Sequence, residues 1–427
     1  MNILLDADHF DRSFGTGIAT YSRVLAQTYR GLGHRVIGLF GRELNPFLTA
    51  RAQEMAFFGF QARRRRWSIP RAVCAMRPWP IAVTPIEPTG TVDLEPIADQ
   101  FSPFDGIANL DSLTELAHLH FALTRRFLPV RAPAGVEFVH WAHPKPVYAV
   151  GARNIYTVHD LVPIMMPYAV KGRCVKYDRL FAGVVKHADR IFTVSENARA
   201  DLLRLYPADP ARVMTTFQAA PFAPETAGDD PEDLALWLRA RHGLDARRYL
   251  IYYGAIEPKK NIDRLIAAYL RADVAMPLVI ISSSGWSNRV TLAALGAAAR
   301  QCARGAEQGK SIIRLPYLPY DEVMRLVQGA AATLFPSIHE GFGIPILESM
   351  QQRTPVLTAD RTATREIAGD AALLVDPFDE TAIARGIERM TGDPMFCRAL
   401  VEKGSVRAQF FSTAAYRERL GAALAAF

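Results

Sequence analysis

Short apolar runs alternate with helical patterns along this chain, and the alternation starts twice. Asn2–Asp6 reads as a strand, residues 17–32 as a helix closed by Gly31 and Gly33, and Arg35–Phe40 as the next strand. Val136–His140, Asn154–Val158 and Arg190–Val194 follow as further strands. Residues 221–247 then turn rich in Pro, Gly and acids, a composition that suits a linker. Beyond them Tyr249–Tyr253 reads as a strand and Asn261–Leu270 as a helix. Strands at Pro277–Ile281, Ser311–Leu315, Ala332–Phe335, Pro355–Thr358 and Ala372–Val375 complete the second series. Strands separated by helices need parallel crossovers, so the expected fold is α/β: two Rossmann-like, doubly wound parallel-sheet domains facing a central cleft. The expected boundaries are 1–222, a linker over 223–247, a second domain over 248–405, and a helix over 406–427 free to return to the first domain. Residues 43–105 are Pro-rich and irregular, and no element is assigned to them.

A chain of 427 residues, half of them apolar and 22% charged, can bury ample core without disulfide or metal staples. Cys74, Cys174, Cys302 and Cys397 lie far apart with no C-x-x-C spacing, which argues against a zinc site and a secreted disulfide framework. The N-terminus reaches Asp6 after few apolar residues, unlike a signal peptide, and no run approaches the ~20 apolar residues of a membrane span. A cytoplasmic protein is expected. The net charge of +7 falls wholly within residues 1–222, the remainder being neutral. Part of it is the run Arg63-Arg64-Arg65-Arg66-Trp67, with Phe57, Phe58, Phe60 and Trp79 nearby. A solvated basic face is the plain reading, and contact with anionic lipid headgroups or a phosphorylated acceptor is the sharper one. No nucleic-acid-binding motif accompanies the charge, so no nucleic-acid partner is expected.

Four segments could carry chemistry. In His339-Glu340-Gly341-Phe342-Gly343-Ile344-Pro345-Ile346-Leu347-Glu348, two carboxylates flank a glycine turn between a strand and a helix. Such a turn exposes backbone N–H groups where the helix dipole favours an anion. Glu340 can accept hydrogen bonds from sugar hydroxyls, and Glu348, two helical turns on, can reach a ribose. Alone, the segment also fits an ordinary cap with a surface glutamate. Lys259 and Lys260 sit between a strand and a helix, where lysine meets phosphate as a point charge, and Asn261 resembles a helix N-cap. Gly15-Thr16-Gly17 precedes the first helix. It superficially fits a dinucleotide fingerprint, but Thr20 occupies the sixth position and the glycines come well after the strand, so NAD is rejected. His159 and Asp160 end a strand, where an imidazole can donate to a sugar hydroxyl or polarise the acceptor, though alone a structural histidine fits better. Asp6, Asp8 and His9 are weighed as metal ligands and set aside.

Taken together, these segments resemble glycosyltransferase family 4, the large retaining GT-B family. The likeness runs through Gly15–Tyr21, Tyr156–Asp160, Ala188–Ser195, Gly254–Asn261, Gly285-Trp286, Phe335–Glu348 and Glu366–Pro377. The resemblance implies that Glu340 binds donor-sugar hydroxyls with Gly341 and the amides of Phe342, Gly343 and Ile344, and that Glu348 binds the ribose. It implies that Lys260, beside Lys259, holds the diphosphate and stabilises the departing nucleotide. Gly15, Thr16, Gly17 and Ser195 would complete the donor site. His159 would contact the sugar at the reacting centre, supported by Asp160. No tightly bound cofactor and no metal are implied; the co-substrate is a nucleotide-diphosphate sugar. Two departures from the family pattern stand out: Ala255 replaces a frequent arginine, and Ser282–Gly285 replaces a usual glycine.

Glu257–Asn261 and Ser337–Gly343 look similar to those of bacterial polysaccharide and O-antigen mannosyltransferases. GDP-mannose is therefore the favoured donor, a saccharide or lipid-linked saccharide the acceptor, and the inner face of the cytoplasmic membrane the candidate location. A catalytically silent sugar-nucleotide-binding protein and a sugar-nucleotide epimerase are the alternatives. Intact Glu340, Glu348, Lys260 and His159 weigh against the first.

Overall fold

In the computed structural model, the residues described are 1–10, 17–44, 48–59, 75–77, 79–169, 174–220, 230–282, 296 and 310–425. Gly15, Thr16, Arg63 to Arg66, Phe60, Trp67, Gly285 and Trp286 lie outside them.

The strands of the first half are β1 (Asn2–Asp6), β2 (Arg35–Phe40), β3 (Ile81–Ala82), β4 (Thr84–Ile86), β5 (Gly106–Asn109) and β6 (Leu128–Arg131). They continue with β7 (Phe138–Trp141), β8 (Val147–Val150), β9 (Arg153–Val158), β10 (Arg190–Thr193) and β11 (Val213–Thr215). The second half holds β12 (Leu250–Tyr253), β13 (Leu278–Ile281), β14 (Ile312–Leu315), β15 (Ala332–Phe335), β16 (Val356–Ala359) and β17 (Leu373–Val375).

The first sheet runs β11-β10-β9-β7-β1-β2-β5-β4, all parallel except β4, which pairs antiparallel with β5. The second runs β14-β13-β12-β15-β16-β17 and is wholly parallel. Both reverse strand order once, between β1 and β7 and between β12 and β15, so each is doubly wound. In such sheets ligands bind outside the carboxyl ends of the strands, at the reversal. A short parallel sheet, β3-β6-β8, flanks the first and lies partly within a segment that carries no sequence assignment.

Burial explains why these residues form these elements. Every residue of β12 and β13 is buried, as strands covered by helices on both faces require. Helix Gly17–Gly31 buries Tyr21, Val24, Leu25, Thr28 and Tyr29, one stripe at helical spacing. Helix Thr413–Ala425 packs on that helix and buries Tyr416, Leu420, Ala423 and Leu424. Arg419 Nε also donates to Thr216 O at 3.2 Å, so the last helix is tied to the first sheet.

Three expectations meet a different structure. Residues 231–242, within the expected linker, form a helix whose Leu234 and Leu238 pack under β12. Asp230 caps it, Pro231 opens it and Glu232 and Asp233 fill its first turn. The acids and proline that suggest a linker are thus also a helix start. Asn261 stands at the N-cap of helix Ile262–Arg271, but its side chain makes no capping bond. Its Nδ2 donates instead to Pro336 O and Pro377 O, at 3.1 and 2.6 Å, pinning two loops of the second sheet. Phe57 is fully buried against Phe40, Phe101 and Arg42, so it cannot face a membrane, and Phe58 beside it is partly buried. Trp79 is 72% exposed.

Candidate functional site

The chain leaves β12 through Gly254, makes a tight 3-10 turn over Pro258–Lys260, and enters the next helix. It leaves β15 through Ser337 to Gly343, and Ile338 N donates to Lys259 O at 2.7 Å, locking the two loops together. The two expected donor-binding segments therefore meet at the strand-order reversal. Lys260 Nζ lies 2.6 Å from Glu340 Oε1 and 5.0 Å from the centre of the Phe335 ring. Burial alone would raise the Glu340 pKa, but Lys260 and Lys259 outweigh it and hold the carboxylate ionised. Gly343 has φ +101°, a conformation that favours glycine, and helix Ile344–Gln351 starts immediately after it. That helix presents its partial positive end beside Glu340 and Lys260.

Glu348, on the same helix, is almost fully buried, and burial raises its pKa to about 7. The phenols of Tyr320 and Tyr253 pull the value partly back. Neither tyrosine stands out in the sequence, because each reaches Glu348 from a separate element.

The first half supplies the opposite wall. His159 and Asp160 follow β9, and Ser195 follows β10. His159 Nε2 lies 2.8 Å from Ala142 O, and its ring meets Tyr21 edge-on at 4.8 Å between centres. Tyr21 in turn shares a 2.8 Å hydrogen bond with Thr157 Oγ1, so the turn that begins at Gly17 supports His159 from below. Burial lowers the His159 pKa, keeping the imidazole neutral.

Three contacts cross from one half to the other here. Lys259 Nζ lies 3.2 Å from Asp160 Oδ2. Burial opposes charge on both partners, yet their mutual attraction wins: the Asp160 pKa is lowered and that of Lys259 raised. Ser195 Oγ donates to Gly341 O at 2.7 Å while accepting from Ala198 N at 3.0 Å, so its hydroxyl is engaged in capping and in an inter-sheet bond. Gly341 lies directly against the His159 backbone.

Asp6 and Asp8 lie at the reversal of the first sheet. Buried Lys145 stands between them, 2.8 Å from Asp6 and 3.5 Å from Asp8. Thr114 donates to Asp8, and His9 and His143 approach within 3.0 Å of each other. Lys145 fills the place a cation would take, and the sequence gives no sign that it comes there. Among the described residues no group of three or more His, Cys, Asp or Glu side chains could hold a metal ion. Among them, too, no helix is long and apolar enough to cross a membrane.

Comparison with known proteins identifies the family and the fold. The family described as Glycosyl transferases group 1 matches residues 238–407, which hold Lys259, Lys260, Glu340 and Glu348. O-antigen chain mannosyltransferase B of Escherichia coli is 30% identical over 61% of this chain and 67% of its own length. The serotype-specific mannosyltransferase WbdA of Escherichia coli is 26% identical over 63% of this chain, which spans only 33% of that larger protein. Among solved structures, sucrose-phosphate synthase from Thermosynechococcus elongatus superposes with a TM-score of 0.65 at 16% identity, covering 99% of this chain and 98% of its own. HepE of Anabaena, solved with UDP and glucose, gives 0.67 at 13% identity with full coverage of both chains. The shared architecture is the GT-B fold. On these grounds the chain belongs to the Glycosyl transferases group 1 family and is a glycosyltransferase.

Proposed function

We propose that the enzyme transfers mannose from GDP-mannose, with retention of anomeric configuration, onto a saccharide or lipid-linked saccharide during bacterial polysaccharide synthesis. The observation that carries this reading is the Lys260–Glu340 pair, 2.6 Å apart at the reversal of the second sheet. The two relatives described above are named as mannosyltransferases, which supports the choice of sugar.

In this reading Glu340 accepts hydrogen bonds from donor-sugar hydroxyls, with Gly341 and the amides of Phe342, Gly343 and Ile344 beside it. Lys260 exchanges its contact with Glu340 for the diphosphate, where negative charge grows as the glycosidic bond breaks. Stabilising that charge is the largest service a preorganised site can offer. Lys259 adds a second cation, compensating for Ala255. Glu348 takes the ribose. The segment Gly15, Thr16 and Gly17 of the first half binds the diphosphate, and Ser195 joins that half to Gly341 of the second. Neutral His159 contacts the sugar at the reacting carbon, and Asp160 fixes the loop around it. Lysine and a helix N-terminus supply the positive charge that a metal would otherwise provide. The acceptor enters from the first half, which the basic run Arg63 to Arg66 brings to an anionic membrane surface.

The test is mannose transfer from radiolabelled GDP-mannose to a panel of mannosylated acceptors, run with and without excess EDTA. Product with an α-linkage in both conditions is the expected result. Transfer from UDP-glucose but not from GDP-mannose would reassign the donor, and loss of activity reversed by manganese would reinstate a metal.

A further inference from the structure

Helix Glu196–Leu205 begins where β10 ends, and its first N–H groups have no partner within the helix. Ser195 satisfies one of them, on Ala198. The N–H groups of Glu196 and Asn197 both donate to the carboxylate of Glu366, at 2.8 and 2.9 Å. Glu366 lies across the cleft, on helix Thr362–Ala368 after β16 in the other half. Its backbone is held in place: Arg407 Nη2 donates to Glu366 O at 2.6 Å and Arg407 Nε to Ile367 O at 3.0 Å. A helix of one half thus takes its N-terminal carboxylate from the other.

We propose that Glu366 is a positioning residue for glycosyl transfer. By capping helix Glu196–Leu205 across the cleft, it sets the closed arrangement in which Lys259 meets Asp160 and Gly341 meets His159. The chemistry suits a reversible latch. An anion at a helix N-terminus gains from both the dipole and two charge-assisted hydrogen bonds. When the halves part, water satisfies the carboxylate and the N–H groups alike, so the net preference for closure is modest and the site can reopen for product release. Glu366 touches neither reacting atom; it acts through where it holds the wall that carries Ser195 and faces His159.

The test compares Glu366→Ala with Glu366→Gln, which keeps the shape and one acceptor oxygen. In the unliganded protein, amide exchange at Glu196 and Asn197 should accelerate roughly tenfold in Glu366→Ala and less in Glu366→Gln. Exchange at residues 201–205 should stay as in wild type, and the radius of gyration in solution scattering should rise. With GDP-mannose as the probe, KM should rise roughly tenfold while kcat changes by less than about threefold, because a smaller closed fraction weakens apparent binding. A purely structural role would instead speed exchange along the whole helix and lower the melting temperature. That result would overturn the proposal, as would wild-type exchange and scattering in a folded Glu366→Ala. The inference rests on glycosyl transfer, not on the choice of donor. A wild-type protein that ignores GDP-mannose sinks the donor assignment and leaves the exchange and scattering measurements to decide the latch.

Discussion

A Cβ placed on Gly341 would lie 1.9 Å from the carbonyl oxygen of His159. No side chain can occupy that space, and the obstacle is backbone, so the two halves must move apart to accept one. Gly341→Ala is therefore expected to keep both halves folded but to hold the cleft open. A displacement of about 1 Å at reacting groups can cost on the order of a hundredfold in rate. We expect at least that loss in kcat/KM, with a circular-dichroism melt close to wild type. Wild-type activity would mean that turnover does not require this approach.

Lys260→Ala removes the cation nearest Glu340. Losing one preorganised electrostatic donor should lower kcat by about a hundred- to a thousandfold. Lys259 still acts on the Glu340 carboxylate, so the fold should survive. Steady-state rates measured alongside thermal melts separate the two effects. Near-normal turnover in the folded variant would remove Lys260 from the mechanism.

Glu348 should make the unliganded enzyme less stable as pH rises. Its folded pKa of about 7 exceeds the ordinary 4.5, because burial penalises the carboxylate. The folded state then holds the proton more tightly than the unfolded state, and stability falls as pH climbs from about 4.5 to about 7. The full effect is roughly 3 kcal/mol at about 1.4 kcal/mol per pKa unit. Glu348→Gln should flatten the difference in melting temperature between pH 5 and pH 8, and should also weaken donor binding. An unchanged slope in the variant would show that Glu348 does not titrate in this range.

The basic run is tested with vesicles. Wild type should co-sediment with phosphatidylglycerol-containing liposomes at low salt and release at high salt, because exposed charges are screened. Changing Arg63, Arg64, Arg65 and Arg66 together to Gln should abolish binding without altering the melt. With Phe57 in the core and Phe58 partly buried against it, the attachment rests on charge and on the remaining aromatics, exposed Trp79 among them. A wild type that ignores anionic vesicles at low salt would end the membrane proposal.

Much of the architecture is legible where a strand is a continuous apolar run. β1 and β2 fall on the expected residues, as does β15, and the rest of the second sheet lies within a residue or so of expectation. Other elements are hidden for identifiable reasons. β6 contains Pro129, which argues against a strand, yet it is the middle strand of the small sheet. β5 and β11 are short, and nothing in their few residues separates them from loop. In the site, residue types and their order point to Lys260, Glu340 and Glu348, because those side chains stand beside glycines and strand ends. Their partners come from elsewhere in the chain. Asp160 beside Lys259, Tyr320 beside Glu348, and Lys145 between Asp6 and Asp8 depend on how the sheets face one another, which local pattern does not encode.

The helix Thr413–Ala425, laid across helix Gly17–Gly31, has a bearing on how the protein is made. Synthesis delivers the first sheet's strands early, and domains commonly fold in the order they emerge. Here the stripe of helix Gly17–Gly31 that contains Tyr21 and Tyr29 meets its own sheet early but completes its cover only after some four hundred further residues have been joined. Until helix Thr413–Ala425 is made, the first half is thus an unfinished body with part of an apolar strip open to water or to a chaperone. Its core is completed only by a helix far along the chain, so the two halves mature together rather than in turn.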